Sequence, residues 1–328
     1  MSLKIRQPSS PVVNVVLGQN ATHELNAGPR YHDVTYLVTI SKTGLTAGAA
    51  FQPLLTDALG LMTVLVNDAE RRVHYAWELD AVQTRWSPNL SVVKYDQLGN
   101  DLITAVADVV NGGNTTRTTT FVVTINFAEP SRSTFADREK FAWPTSWASG
   151  QTAKVQIKLF VPANAGVANP VITAIESIDY QLGPTIAATA TSPARDSMPI
   201  TSWVRQEEIY GGLKPVIRKW SFTGLLQQMS IFCQAGDDVA KAKVKSGTAI
   251  IFDDPKGDVD LLCDRHGWNP AGKSADRFDL AFDYSDNPAD VARVDGVSLF
   301  ELSLQLTNAN AANKTLVLST QVYLDALA

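Results

Sequence analysis

With 328 residues, 45% of them hydrophobic and 19% charged, the chain has ample apolar material for a core and enough length for two domains. Its 28 basic and 33 acidic side chains leave a formal charge of −5 and a pI near 5.4, which excludes a basic protein built to coat nucleic acid.

From the N-terminus, "MSLKIRQPSSP" carries Lys4 and Arg6 but no apolar run behind them, so it does not read as a secretory signal. The most apolar stretch, "LLTDALGLMTVLV" at 54–66, contains Asp57 and falls short of the roughly 20 residues a membrane helix needs. A soluble protein without a cleaved signal is expected. Predicted strands follow at 12–17, 34–41, 61–67, 71–76, 118–128 and 153–161, then at 171–180, 216–223, 226–233, 248–252, 278–284, 297–307 and 315–324. Turn signals such as "KTG", "QLGND", "NGGN" and "NPAGK" separate them. The clearest are "TFVVTINFAEP" (120–130) and "LFELSLQLT" (299–307). In the first, Phe121, Val123, Ile125 and Phe127 share a face; in the second, Phe300, Leu302, Leu304 and Leu306 do. A period of two marks a strand with one buried side. Helices are predicted at 101–110, before Gly112-Gly113, at 133–143, and at 287–296, where Asn287, Pro288 and Gly296 mark the ends.

The order repeats. "DLITAVADVV", "TTTFVVTINFAEP" and "AKVQIKLFV" in the first half correspond to "NPADVARVDG", "VSLFELSLQLTN" and "TLVLSTQVYL" in the second. Earlier, "YLVTISKTG" and "LMTVLVND" correspond to "VIRKWSFTG" and "QMSIFCQAGD". A duplicated β domain is expected, with the boundary in the small, Pro-flanked "VPANAGVANP" (161–170). Many short strands and few helices indicate sandwiches rather than a parallel α/β sheet.

The search for chemistry yields little. His23, His32, His74 and His266 have no i, i+2 or i, i+4 pairing for a metal. Cys233 and Cys263 read as buried thiols in a reducing compartment. The acidic "DDPKGDVDLLCD" (253–264) departs from a calcium loop and reads as a solvated hairpin turn. Lys241, Lys243 and Lys245 share one strand face and read as protection of an edge strand. No nucleophile elbow or phosphate loop is present in the sequence. "FAWPTSW" places Trp143 and Trp147 in a long connection, where they either anchor a partner or cap a sandwich end.

Two sandwich halves, each ending helix-strand-strand, resemble the double jelly-roll major capsid proteins of tailless icosahedral viruses, including bacteriophages with an internal membrane. The resemblance rests on the two endings quoted above. It implies an all-β chain of two consecutive eight-stranded jelly-roll β-sandwiches with a few short flanking helices: an N-terminal arm at 1–10, a first jelly roll at 11–162, a linker at 163–170 and a second jelly roll at 171–328. It implies a non-enzymatic shell protein in the virion, assembled in the host cytoplasm. Its partners would be itself, as a homotrimer of pseudo-hexagonal outline, then neighbouring capsomers and minor capsid proteins. The arm, through Lys4 and Arg6, would meet an internal lipid membrane; no direct nucleic-acid contact and no cofactor are implied. Trp143 and Trp147 would lie at contacts between subunits or capsomers. A spike or lectin-like sandwich using Trp143, Trp147 or Trp268 against sugar is the alternative, and a glycan-active enzyme on a β-sandwich scaffold is a further one.

Overall fold

A computed structural model describes residues 4–44, 55–75, 106–111, 114–128, 142–145, 152–161, 166–180, 185–186, 195–196, 200–220, 225–233, 237–265, 277–282, 292–293, 300–307 and 314–324. The described residues numbered below 199 form one compact unit and those from 200 onward another.

The first unit contains strands β1 (Ile5–Pro8), β2 (Asn20–Leu25), β3 (Arg30–Gly44), β4 (Leu59–Val66), β5 (Ala69–Tyr75), β6 (Val106–Asn111), β7 (Asn114–Asn126), β8 (Trp143–Pro144), β9 (Ala153–Leu159) and β10 (Val171–Asp179), with a small hairpin of β11 (Thr185–Ile186) and β12 (Arg195–Asp196). One sheet runs β1-β10-β3-β7-β6, with β8 beside the start of β3; the other runs β5-β4-β9-β2. β3 pairs with β7 from Asp33↔Asn126 to Gly44↔Thr115. Its inward row, Val34, Tyr36, Val38 and Ile40, is fully buried. On the opposite face the hydroxyls of Thr39–Thr120, Ser41–Thr118 and Thr43–Thr116 each meet at 2.8 Å. Such cross-strand pairs fix the register that the buried row demands.

The second unit contains β13 (Ile200–Tyr210), β14 (Val216–Ile217), β15 (Leu225–Phe232), β16 (Val239–Ser246), β17 (Ala249–Pro255), the helix α1 (Lys256–Arg265), β18 (Arg277–Ala281), β19 (Ala292–Arg293), β20 (Phe300–Leu306) and β21 (Lys314–Leu324). Its sheets run β13-β21-β15-β18, with β19 beside β15, and β14-β20-β16-β17. Leaving β19 aside and counting in chain order, these orders are 1-8-3-6 and 2-7-4-5, the strand arrangement of a jelly roll. The two inner faces meet in one apolar core. Phe300, Leu302, Leu304 and Leu306 from β20 face Met229, Ile231, Phe278 and Leu280 from β15 and β18 within it.

Part of this order recurs in the first unit. β2 lies beside β9, β9 beside β4, and β3 beside β7, as β13 lies beside β21, β21 beside β15, and β14 beside β20. Four of the five segment matches expected from the repeat therefore fall on equivalent strands: β3 with β14, β4 with β15, β7 with β20, and β9 with β21. The fifth does not: the described part of 101–110 is β6, beside β7, and that of 287–296 is β19, beside β15.

Several expectations are corrected. The chain does not enter its second unit at 171. β10 pairs with β3 from Val171↔Thr39 to Asp179↔Arg30, so the first unit extends beyond 162, and residues 166–170, before β10, are the end of a crossover within that unit rather than a boundary. That crossover is itself bonded to β3: Thr43 donates to the Gly166 carbonyl at 2.9 Å and Ala168 to the Ser41 carbonyl at 3.0 Å. Gly166 has φ of +106°, and a Cβ there would stand 2.2 Å from the Thr43 carbonyl oxygen. Gly166→Ala is expected to destabilise the first unit by about 1–3 kcal/mol. An unchanged calorimetric transition would contradict this tight approach.

Residues 4–8 are not a detached arm, because β1 is an edge strand on β10 with Ile5↔Ile178 and Pro8↔Ile175 in register. Val106–Asn111 is a strand where a helix was expected over 101–110. Asn111 opposes Asn114 in the pairing of β6 with β7, and β-branched Val109 and Val110 suit that ladder. The helices expected at 133–143 and 287–296 lie largely outside the described residues; within them, Trp143 and Ala292–Arg293 are in strands. The acidic turn at 253–264 is instead the end of β17 followed by α1. Its Val259 is buried in the second core, and Lys256 bridges Asp260 one turn on at 3.2 Å. β16 is an interior strand between β20 and β17, not an edge.

Candidate functional site

The four predicted contact residues separate. Trp143 sits on β8 and is 1% exposed. Its ring lies 5.0 Å from Phe127, and the Arg72 guanidinium stacks 5.0 Å over it and 5.1 Å over Phe127. Arg72 Nη1 also donates to the carbonyl of Asn126. Trp143 is thus a core side chain of the first unit and cannot touch a partner. The segment "PTSW" hid this, because proline and serine read as loop while Tyr31↔Trp143 pairing draws the indole inward. Trp147 lies outside the described residues, as does Trp268. Lys4 and Arg6 are exposed at the β1 edge, Lys4 within 3.8 Å of Asp33.

The most organised chemistry lies where β1, β2, β3 and β10 meet. Glu176, 1% exposed, accepts from Gln7 Nε2 at 2.8 Å and from Ser9 Oγ at 2.7 Å. Ser9 Oγ is also 2.8 Å from His23 Nε2, and His23 Nδ1 is 2.9 Å from the Tyr36 hydroxyl. The serine's one proton goes to Glu176, so His23 Nε2–H donates to Ser9 and the bare Nδ1 accepts from Tyr36. His23 is fully buried, and desolvation lowers its pKa to about 4 against a smaller opposing pull from Glu176. Burial raises the Tyr36 hydroxyl well above its usual value; burial and then the Glu176 charge raise Tyr31 likewise. Beside this row Asp179 accepts from Arg30 Nε at 2.9 Å and Nη2 at 2.7 Å, and lies 2.8 Å from His32 Nε2. Arg30, His32 and Asp179 are all buried. Ser177 Oγ donates to Asp33 at 2.9 Å. Every polar side chain of "ESID" is therefore spent on holding β10 to the first unit. Sequence reasoning passed over these residues because it sought histidine pairs for a metal; the legible signal was Glu176 and Asp179 inside an apolar strand.

The second unit's charges lie on a sheet face. Lys241 and Lys243 reach Asp253 at 3.0 and 3.4 Å, and Arg218 reaches Glu301 at 2.8 Å. Hydrogen bonds from Lys241 and from Arg218 hold the Asp253 and Glu301 carboxyls below their usual range. The lysine row is thus matched by acids across the ladder. A groove of about 320 Å³ beside β13 is lined by Glu208, Lys214, Val216 and Tyr210 among others. The Tyr210 ring is in the core with its hydroxyl donated to Asp237 at 2.8 Å, so it offers no platform to a sugar. Among the described residues no group of three or more His, Cys, Asp or Glu side chains is placed to hold a metal ion. Among them, too, no helix is long and apolar enough to cross a membrane.

No family model matches this sequence and no curated protein matches it. Solved structures do match in fold. The major capsid protein P2 of bacteriophage PM2 superposes with a TM-score of 0.63 at 12% identity, over 98% of both chains. A chain of the Sulfolobus turreted icosahedral virus structure superposes with a TM-score of 0.62 at 10% identity, over 99% of this chain and 90% of that one. A chain of the PBCV-1 virus capsid gives 0.58 at 13% identity, over 98% and 94%. With the second unit's 1-8-3-6 and 2-7-4-5 sheets, and the same neighbours recurring in the first, the chain has the double jelly-roll fold of viral major capsid proteins.

Proposed function

We propose that this chain is the major capsid protein of an icosahedral virion, and that three copies form a pseudo-hexagonal capsomer that tiles the shell. The observation that carries the reading is the end-to-end likeness to the PM2 capsid protein, over 98% of each chain. The duplicated sandwich fits the role physically. Two similar modules per chain give six per trimer, a shape that meets six neighbours, and many weak side-to-side contacts add up to a stable shell. The chain is structural rather than enzymatic on this reading. Its partners are further copies of itself and minor capsid proteins, and its place is the virion, after assembly in the host cytoplasm. Lys4 and Arg6, exposed at the edge of β1, are the cations that face an internal membrane's anionic headgroups.

Native mass spectrometry of the purified protein tests the proposal. A complex of three times the 35.5 kDa chain, forming hexagonal arrays under negative stain, is the expected result. A monomer retained on a glycan column would overturn it in favour of a lectin-like protein.

A further inference from the structure

We propose that residues 5–9 form a latch that acid opens: protonation of His23, which Ser9 links to Glu176, releases β1 from β10 while the rest of the first unit stays folded. This stands independently of the capsid reading.

β1 is built to be the first strand to leave. It has four residues, a single neighbouring strand among the described residues, and exposed Arg6 and Pro8. Edge elements with little buried apolar area open locally before the whole unit does. What holds it is polar. Gln7 and Ser9 donate to Glu176, the Ser9 amide donates to the Ala174 carbonyl at 3.0 Å, and Ser10 Oγ donates to the Glu24 carbonyl at 2.6 Å.

The closed latch resists a second proton at His23. Nε2 already carries one, which Ser9 covers, and a second on Nδ1 would point at the Tyr36 hydroxyl, which donates there. Among the described residues the titratable groups around the imidazole are Glu176 on β10 and Tyr36 on β3, with Tyr31 beside Glu176 and Tyr180 acting on Tyr31. From β9, the residue opposite His23 is Val155. In the segment itself, Arg6 is exposed and Lys4 lies by Asp33. In the proposed open form Ser9 has left with β1, and water takes its place on Nε2.

The sign follows. The closed form stays neutral down to about pH 4, whereas the open form takes up a proton from an ordinary value of 6.5. The open form therefore binds more protons, so the latch is fully held above pH 6.5 and opening grows as pH falls from there towards 4. The gain approaches tenfold per pH unit, about sixtyfold between pH 7 and pH 4.5.

Hydrogen exchange of the full chain, corrected for the intrinsic pH dependence, tests this. In the wild-type protein the amides of residues 5–7 and 9 should exchange about sixtyfold faster at pH 4.5 than at pH 7, with those of β3 and β7 unchanged. His23→Gln should remove the difference, and Ser9→Ala should leave the segment fast already at pH 7. Three results would each overturn the proposal: residues 5–9 equally protected at both pH values; β1, β3 and β7 losing protection together; or His23→Gln keeping the wild-type pH dependence.

Discussion

Asp179→Ala is expected to destabilise the first unit by about 3–5 kcal/mol, because it leaves the buried Arg30 guanidinium without its carboxylate. The pair is two-pronged, at 2.9 and 2.7 Å, and His32 closes on the same carboxylate at 2.8 Å. A buried ion pair contributes little net stability against a well-packed apolar replacement, but breaking one partner strands the other charge out of water. The combined change Arg30→Met with Asp179→Leu is therefore expected to cost less than Asp179→Ala alone. Calorimetry of the three proteins checks the order. A single-substitution loss below about 1 kcal/mol would mean that water screens the pair, as at exposed ion pairs.

Trp143→Ala should cost the first unit about 3–5 kcal/mol, the range for emptying a buried aromatic site. The indole packs on Phe127 and under Arg72, so its loss opens a cavity and removes one of the two rings beneath that guanidinium. This separates the two roles the sequence left open. A surface anchor would lose partner binding with stability changed by no more than about 0.5 kcal/mol. A core residue loses stability in the isolated chain, which denaturant unfolding of the unassembled protein reads directly.

How far the sequence discloses the fold can be read from individual strands. β7 and β20 were legible because Phe121, Val123, Ile125 and Phe127, and Phe300, Leu302, Leu304 and Leu306, form buried rows that alternate with mostly polar residues, as a sheet with one wet face requires. Matching these two, and the pairs around them, located the jelly-roll repeat. β2 and β13 were missed for the opposite reason. "NATHEL" and "ITSWVRQEEIY" mix polar residues into the strand, and in β2 the inward position is His23, held by a serine and a tyrosine rather than by apolar neighbours. The 161–170 segment has a linker's composition, and composition cannot tell a linker from a crossover whose backbone bonds to β3. β10 belongs to the first unit because Glu176 and Asp179 find partners there, a long-range fact with no local signature. α1 was hidden by the Asp, Pro and Gly that begin it; burial of Val259 overrides that turn chemistry.

The account depends on one chain making two sandwiches that work through their sides. Electron cryomicroscopy of purified assemblies tests this most directly. The expected map shows this chain throughout the shell, two eight-stranded sandwiches in each copy, and copies meeting along sandwich flanks and end loops. A map with a single sandwich per chain, or particles whose shell is built from another protein, would contradict it.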